Sequence, residues 1–385
     1  AWPAALWTFA FRPFFLAASL WSVIAIVVWI VMLATGAELP SRFDPLSWHI
    51  HEMLFGFVPA AIAGFMLTAI PSWTGRKPIR GRALAALALL WLLGRAACLC
   101  SARMPLALAA AVDLAFPFAL CAVAAREIIA ARNWRNLPMP IPIAVLGVAD
   151  ALMYLPLAGV SVAPQLGWRL GLAAIIILIS AVGGRIVPSF TRNWLVARGA
   201  ARRPAVHDLV DRVGLAVLHA GLIGWALLPV SHALGAVLIA AAALTLYRLA
   251  RWRGMATLSE PLLAVLHVGY GWVMVGVALL GASMLGAAVP LAAAVHALTA
   301  GAIGTMVLAV MTRVSLGHTG RALRADRVTG PIYGLVCLAA AVRIVAGVAG
   351  KDFLPLIELS AALWVASFAL FAIHYGRMLV APRVQ

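Results

Sequence analysis

Five histidines stand in contexts suited to holding a metal: His49, His51, His267, His296 and His318. Neutral imidazole is a common ligand of transition metals and of haem iron. Ionisable residues inside apolar runs are costly and often functional. His49 and His51 are two positions apart, so on a regular helix they point roughly 200° apart. They cannot grip one ion together unless that turn is irregular. Positions 296 and 318 are 22 residues apart, about 33 Å of helix, so these two cannot share a centre. The sequence therefore separates an outer set, His49, His51 and His296, from an inner set, His318 with His267. For any one of them an interhelical hydrogen bond is the plainer alternative. His207, His219, His232 and His374 have no motif around them and read as structural or interfacial.

Three arginines, Arg95, Arg185 and Arg343, lie within apolar runs. Such charges need partners. Arg95 is expected to pair with Asp113 and Arg343 with Glu358, while Arg185 follows Gly183-Gly184. The alternative is recognition of a carboxylate-bearing cofactor such as haem, or of an anionic head group, since a guanidinium matches a carboxylate well. The cysteines Cys98, Cys100, Cys121 and Cys337 all sit in apolar runs and read as small hydrophobes. Joint metal ligation by Cys98 and Cys100 is the less favoured reading, because residues two apart face different sides of a helix. Trp48, Trp73, Trp168 and Trp194 suit interfacial belts. There is no P-loop and no Ser-His-Asp signature, which argues against nucleotide or hydrolytic chemistry.

The elements that must position these residues are membrane helices. Of 385 residues 65% are hydrophobic and 11% charged, and the mean hydropathy is +1.04. A soluble domain carries about 25% charged residues. Apolar runs of about 20 residues recur along the chain, and strand-like alternation is absent, which predicts helices rather than a barrel. Twelve spans are expected, centred near Ile24, Ile62, Leu93, Phe118, Leu152, Ile177, Ile223, Ile239, Val275, Val307, Ala340 and Phe368. The first is too long for a signal peptide, and no cleavage signal follows it. With the spans alternating, only Arg42, Arg103, Arg169 and Lys351 fall on the far side, and 22 of the 29 Lys and Arg fall on the side of the N-terminus. The positive-inside rule makes that side cytoplasmic and puts both termini there. The net charge of +17 is thereby accounted for by loops facing anionic lipid, not by nucleic acid. Residues 1–385 read as a single polytopic membrane domain.

Two segments align without a gap. His51 to Arg76 reads HEMLFGFVPAAIAGFMLTAIPSWTGR, and His296 to Arg321 reads HALTAGAIGTMVLAVMTRVSLGHTGR. They share the leading His, Gly56 with Gly301, Met66 with Met311, and a closing Thr-Gly-Arg. Pro188-Ser189-Phe190-Thr191 matches the end of the first more weakly, as Pro71-Ser72-Trp73-Thr74. These are spans two, ten and six, which suggests three four-helix units in parallel repetition. If so, His51 and His296 lie at one depth on parallel helices, a geometry for holding one metal centre from two sides.

The chain resembles the NnrS family of bacterial membrane proteins. The resemblance rests on Phe11-Arg12-Pro13-Phe14-Phe15, on Trp48-His49-Ile50-His51-Glu52-Met53-Leu54-Phe55-Gly56, and on Trp73-Thr74-Gly75-Arg76. Further blocks are Gly183-Gly184-Arg185-Ile186-Val187-Pro188 with Thr191-Arg192-Asn193-Trp194, and Glu260-Pro261-Leu262-Leu263 leading to His267 and Tyr270. The last run from His296-Ala297-Leu298-Thr299 to Gly317-His318-Thr319-Gly320-Arg321. The resemblance implies a haem- and copper-containing protein of the bacterial inner membrane, linked to nitric oxide and nitrosative stress in denitrifying and related bacteria. The motif histidines His49, His51, His267, His296 and His318 match the family pattern; one or two b-type haems, with copper as a further candidate, are expected at them, and Arg95 and Arg185, as guanidinium groups within apolar runs, are expected cofactor-binding residues. The expected activity is that of an oxidoreductase resembling nitric oxide reductase, fed by quinol or a redox protein. Non-enzymatic NO or haem handling is the alternative, and secondary transport a third. The twelve-helix, three-unit pattern also resembles the haem-copper oxidase arrangement, in which helices two and ten carry paired haem ligands. On that analogy His51 and His296 would clamp one haem, but likeness of fold does not establish function.

Overall fold

The computed structural model describes residues 5–205, 208–349 and 353–384. All twelve expected centres fall inside helices long and apolar enough to cross a membrane. They are α1 (Phe11–Thr35), α2 (Pro45–Thr74), α3 (Arg82–Leu99), α4 (Leu106–Ala130), α5 (Trp134–Ala158) and α6 (Leu166–Val196). The others are α7 (Leu209–Leu227), α8 (His232–Arg251), α9 (Pro261–Met284), α10 (Leu291–His318), α11 (Thr329–Val348) and α12 (Phe353–Val380). Among the described residues there is no strand. The chain is an all-helical multi-pass membrane protein. On α1, Leu20, Ile24, Val27 and Val31 are 46–48% exposed and fall on one stripe. Water would penalise that stripe, whereas lipid tails receive it without cost. His207 and Lys351 lie outside the described residues.

The helices pack into two compact units. The first holds Ala1–Ala174, Val314–Ala322 and Phe368–Gln385; the second holds Ile175–Arg313 and Leu323–Ser367.

In the first unit α1 ends where Gly36 takes φ 71°, returning its N–H to Met32 O at 2.9 Å. That left-handed residue favours glycine and terminates the helix. α2 then starts on a full N-cap, with Asp44 Oδ1 accepting from the N–H groups of Leu46 and Ser47 at 3.0 Å and Pro45 at the first position. Partial burial pushes the Asp44 carboxyl up, but bonds from the Ser47 side chain and the two backbone N–H groups outweigh it and leave the group below its usual range. Phe11, Phe14 and Phe15 are fully buried, and Phe15 packs flush on Gly64 of α2. Arg12, 3% exposed, caps the C-terminus of α12 by donating from Nη1 to Leu379 O at 2.7 Å and Ala381 O at 2.6 Å. Substituting Arg12 with Ala is expected to release these carbonyls and fray residues 377–384. Bonds from a charged donor contribute about 1.5–3 kcal/mol, and amide hydrogen exchange confined to that segment would measure the loss.

In the second unit Arg248 of α8 is buried, bonding Asp211 Oδ1 of α7 at 2.9 Å and the Tyr270 hydroxyl of α9 at 2.9 Å. Gly184 and Gly214 leave room for this side chain, since a Cβ would lie 2.9 Å from Arg248 Nη2 at the first and 2.6 Å from Arg248 Cδ at the second. At the end of α8, Arg251 pairs with Asp208, and that bond holds the Asp208 carboxyl down at about 2.

Both of the segments aligned in sequence carry the same irregularity. α2 widens into a π turn over Glu52–Phe57, directly after His51. α10 widens over Ala297–Ile303, directly after His296. In each turn the shared glycine lies against a tryptophan of the preceding helix. A Cβ on Gly56 would sit 2.9 Å from Trp21 Nε1, and one on Gly301 2.7 Å from Trp272 Cδ2. Single π turns within α-helices are frequent at functional sites.

Candidate metal centre

The first unit concentrates charge where a membrane protein can least tolerate it. His51 and Glu52 stand at the junction of α-helix and π turn in α2, both with 0% exposure. Across from them α3 contributes Arg95 and Cys98, three residues apart and so on one face. α4 contributes Asp113, and α5 contributes Asp150 and Tyr154 at a spacing of four. All are buried.

The imidazole of His51 is gripped at both nitrogens. Nε2 lies 2.8 Å from Asp150 Oδ1 and 3.0 Å from Asp113 Oδ2. Nδ1 lies 3.2 Å from Glu52 Oε1 and 3.4 Å from Cys98 Sγ. Arg95 bridges the carboxylates, donating to Glu52 Oε2 at 2.7 Å and to Asp113 Oδ1, while its Nε finds no acceptor. Trp21 Nε1 donates to Glu52 Oε2 at 2.7 Å, and the Tyr154 hydroxyl donates to Asp113 Oδ2 at 2.7 Å. Two glycines permit the approach: a Cβ on Gly94 would lie 2.8 Å from Asp113 Oδ1, and one on Gly56 would lie 2.7 Å from both Arg95 Nη1 and Glu52 Oε2. Phe43 of the α1–α2 loop stacks on the imidazole at 4.9 Å, with Phe55 and Tyr154 around it at 5.6 and 5.8 Å. That loop is strapped to the α3–α4 turn by Ser41 Oγ to Cys98 O at 3.0 Å and Arg42 N to Ser101 Oγ at 2.8 Å.

Charge bookkeeping shows what this arrangement wants. Glu52, Asp113 and Asp150 bring three carboxylates against one guanidinium. With the imidazole neutral, as a metal ligand must be, the cluster is two positive charges short. Uncompensated charge in a low-dielectric interior is strongly unfavourable. One divalent cation would offset those two charges, and a Cys98 thiolate among its ligands would leave one negative charge in excess. Donor atoms of His51, Cys98 and Asp113 all lie within 4.8 Å of one another. Metal bonds of about 2.0–2.3 Å set tetrahedral ligands about 3.3–3.8 Å apart, so binding would draw the widest pair together by up to about 1–1.5 Å. A ligating His generally keeps its second nitrogen on a carboxylate, and either nitrogen of His51 has one to keep.

Of the residues singled out from sequence, His51 and Arg95 come together here, tied through Glu52 and Asp113. The expected Arg95–Asp113 pair is present. His49 points elsewhere, its ring stacked on Trp29 at 4.7 Å. His318 lies at the end of α10 against Phe9 and Phe11, at 6.1 and 5.6 Å between ring centres. In the second unit, the Thr191 hydroxyl bonds Val187 O at 2.9 Å and meets His267 Nε2 at 2.8 Å. Its one proton goes to the carbonyl, so Nε2–H donates to it and Nδ1 is left buried without a partner. His296 donates from Nδ1 to Ala292 O at 2.7 Å, which makes Nε2 its basic nitrogen. Arg185 is exposed on α6. The expected Arg343–Glu358 pair is not formed: Arg343 has no ion pair among the described residues, and Glu358 is exposed. The reason is rotational. Ser360, not Glu358, faces α11, donating to Ala339 O at 2.7 Å, and two residues turn a helix by roughly 200°.

Glu52, Asp150, Tyr154 and Trp21 were not among the expected site residues, and Cys98 was read as a hydrophobe. Asp150 carried a signal, an acid alone in a 25-residue apolar span. Glu52 directly follows His51 within the block from Trp48 to Gly56. Nothing local marks Trp21 or Tyr154.

No protein of curated function matches the chain. Residues 5–383 match the model of the NnrS protein family, and over essentially its whole length the chain belongs to that family.

Proposed function

We propose that this is a metal-dependent protein of the bacterial inner membrane, with both termini cytoplasmic, that binds nitric oxide and reduces it, protecting the cell against nitrosative stress. Family membership supports the link to the nitric oxide response. The observation that carries the metal-dependent reading is the buried His51–Cys98–Asp113 donor set.

The donors suit a bare ion. Imidazole and thiolate together favour copper or zinc over hard cations, and only copper of the two is redox-active. A porphyrin fits His51 poorly, because the ring is covered by Phe43, Phe55 and Tyr154 and held at both nitrogens. The reading of one or two b-type haems therefore rests on His49, His267, His296 and His318. A redox metal at His51 would offer a place for NO to bind and receive electrons. Reduction consumes protons as well: 2 NO + 2 e⁻ + 2 H⁺ gives N₂O and H₂O, with electrons from quinol or a redox protein. Asp150 and the Tyr154–Asp113 pair are the groups at the imidazole able to hold and hand on protons. Arg95 stays charged and fixes Glu52 and Asp113 in place.

The test is the visible spectrum of the purified protein, oxidised, reduced, and reduced with NO, alongside iron and copper analysis and anaerobic NO consumption with a quinol donor. Stoichiometric metal with an NO-dependent spectral change and NO consumption supports the proposal. Binding without consumption leaves NO or haem handling. Folded, metal-free protein that moves protons or solute in proteoliposomes would replace it with secondary transport, a reading favoured by so much charge buried inside a membrane.

A further inference from the structure

The two repeat segments differ by a constant 245 positions, and this offset carries beyond them. In the first unit Cys98 of α3 meets His51 of α2. Adding 245 gives Arg343 of α11 and His296 of α10. The packing of the second unit agrees with that register. A Cβ on Gly347 would lie 3.2 Å from Ala293 Cβ, and one on Gly304 3.2 Å from Val336 Cγ2. In this antiparallel pair one helical turn from Gly347 reaches Arg343, and one turn from Ala293 reaches His296 and Ala297. Arg343 therefore stands on the α11 face that packs on α10, level with His296.

The frame is repeated but the charges are exchanged. Glu52 becomes Ala297, Arg95 becomes Ala340, and Cys98 becomes Arg343. The helix face that presents Asp113 in the first unit presents Ser360 in the second, and Glu358 is turned outward. The first unit surrounds its histidine with carboxylates. The second carries a guanidinium on the α11 face toward α10, at the level of its histidine, half-buried within a span, and no carboxylate among the described residues pairs with it. A cation in a membrane span without a counter-ion is costly, and a ligand can supply what the chain withholds.

We propose that the second unit holds, at Arg343 beside His296, a binding site for a planar oxyanion, either a small free anion or a carboxylate on a larger molecule, presenting two oxygens to the guanidinium. It is independent of the metal reading at His51.

The experiment uses the full chain, purified in neutral detergent and titrated with nitrite, nitrate, acetate and a larger aromatic carboxylate, with sulfate at matched ionic strength as the non-planar control. Binding is read by calorimetry and by the unfolding midpoint, and metal content is followed in parallel. Saturable stabilisation by planar anions is expected, with sulfate ineffective. Preference for the larger carboxylate assigns the second source, and preference for nitrite or nitrate the first. Arg343→Gln should weaken binding by at least about 10-fold, and Arg343→Lys, which keeps the charge but not the fork, by several-fold. Cys98→Ser should leave anion affinity within about two-fold, since the proposed anion site takes no donor from Cys98, whatever it does to metal. Without anion, Arg343→Gln should unfold no earlier than wild type, because it removes an unpaired charge. If that variant does not fold, Arg343→Lys carries the test. Unchanged affinity in Arg343→Lys, absence of saturable binding, or stabilisation by sulfate equal to that by the planar anions would each overturn the assignment.

Discussion

Protein carrying Gln in place of His51 is expected to be purified folded but without metal at the buried centre. An amide can still donate to Asp150 or Asp113, so the hydrogen bonds that Nε2 now makes at 2.8 and 3.0 Å are partly replaced. It cannot replace an imidazole as a ligand for copper. Loss of one such ligand should reduce affinity by well over the 10–100-fold typical of losing an outer-shell partner. His51→Ala is a poorer probe, since it leaves a cavity and strands buried carboxylates, mixing instability with loss of ligation. The measurement is metal per chain after dialysis against a mild chelator, with the unfolding midpoint recorded on the same sample. Cys98→Ser and Asp113→Asn should each show intermediate metal loss. Asp150→Asn should retain more metal than His51→Gln, because Asp150 lies outside the His51–Cys98–Asp113 set. Full metal occupancy in His51→Gln would move the metal away from this cluster altogether.

The helices were legible because each crossing needs its own long apolar run, a property of local sequence. His51 was legible because it opens a repeated block, and Arg95 because a charge in such a run demands a partner. Their meeting was legible only in part. Arg95 and Asp113 lie on consecutive antiparallel spans, so their spacing alone brings them level. The same reasoning applied to Arg343 and Glu358 failed, because a two-residue difference in which face α12 turns to α11 is decided by packing, as Ser360 shows. Asp150 and Tyr154 reach His51 from α5, three helices later in the chain. No periodicity encodes that return. The irregular turn needed to bring His49 and His51 to one ion is present in α2, but it begins at Glu52, after both. It therefore leaves His49 on Trp29 and turns Glu52 to the cluster instead.

Arg95 supplies the second large effect. Removing it as Arg95→Ala leaves Glu52 and Asp113 facing His51 and Asp150 with no fixed cation. Breaking a buried ion pair from one side costs about 3–5 kcal/mol, a large share of the about 5–15 kcal/mol that holds a typical domain. Arg95→Lys should recover part of this, since one ammonium cannot reach two carboxylates in the planar geometry of the guanidinium. The discriminating variant is the pair Arg95→Gln with Glu52→Gln. If the cost of losing Arg95 is stranded charge, neutralising Glu52 should return about 1–3 kcal/mol as a favourable coupling, and Trp21 could still donate to the new amide oxygen. If the cost is lost packing, the two substitutions should add. Unfolding midpoints of the four proteins in one detergent decide between these. Gly56 sharpens the comparison, because Gly56→Ala would push a methyl to within 2.7 Å of both Arg95 Nη1 and Glu52 Oε2 without removing either charge. A destabilisation like that of Arg95→Gln would show that the geometry of the pair matters as much as its presence. Little change would mean that the π turn yields to the methyl, and that the charges hold the centre together by proximity alone.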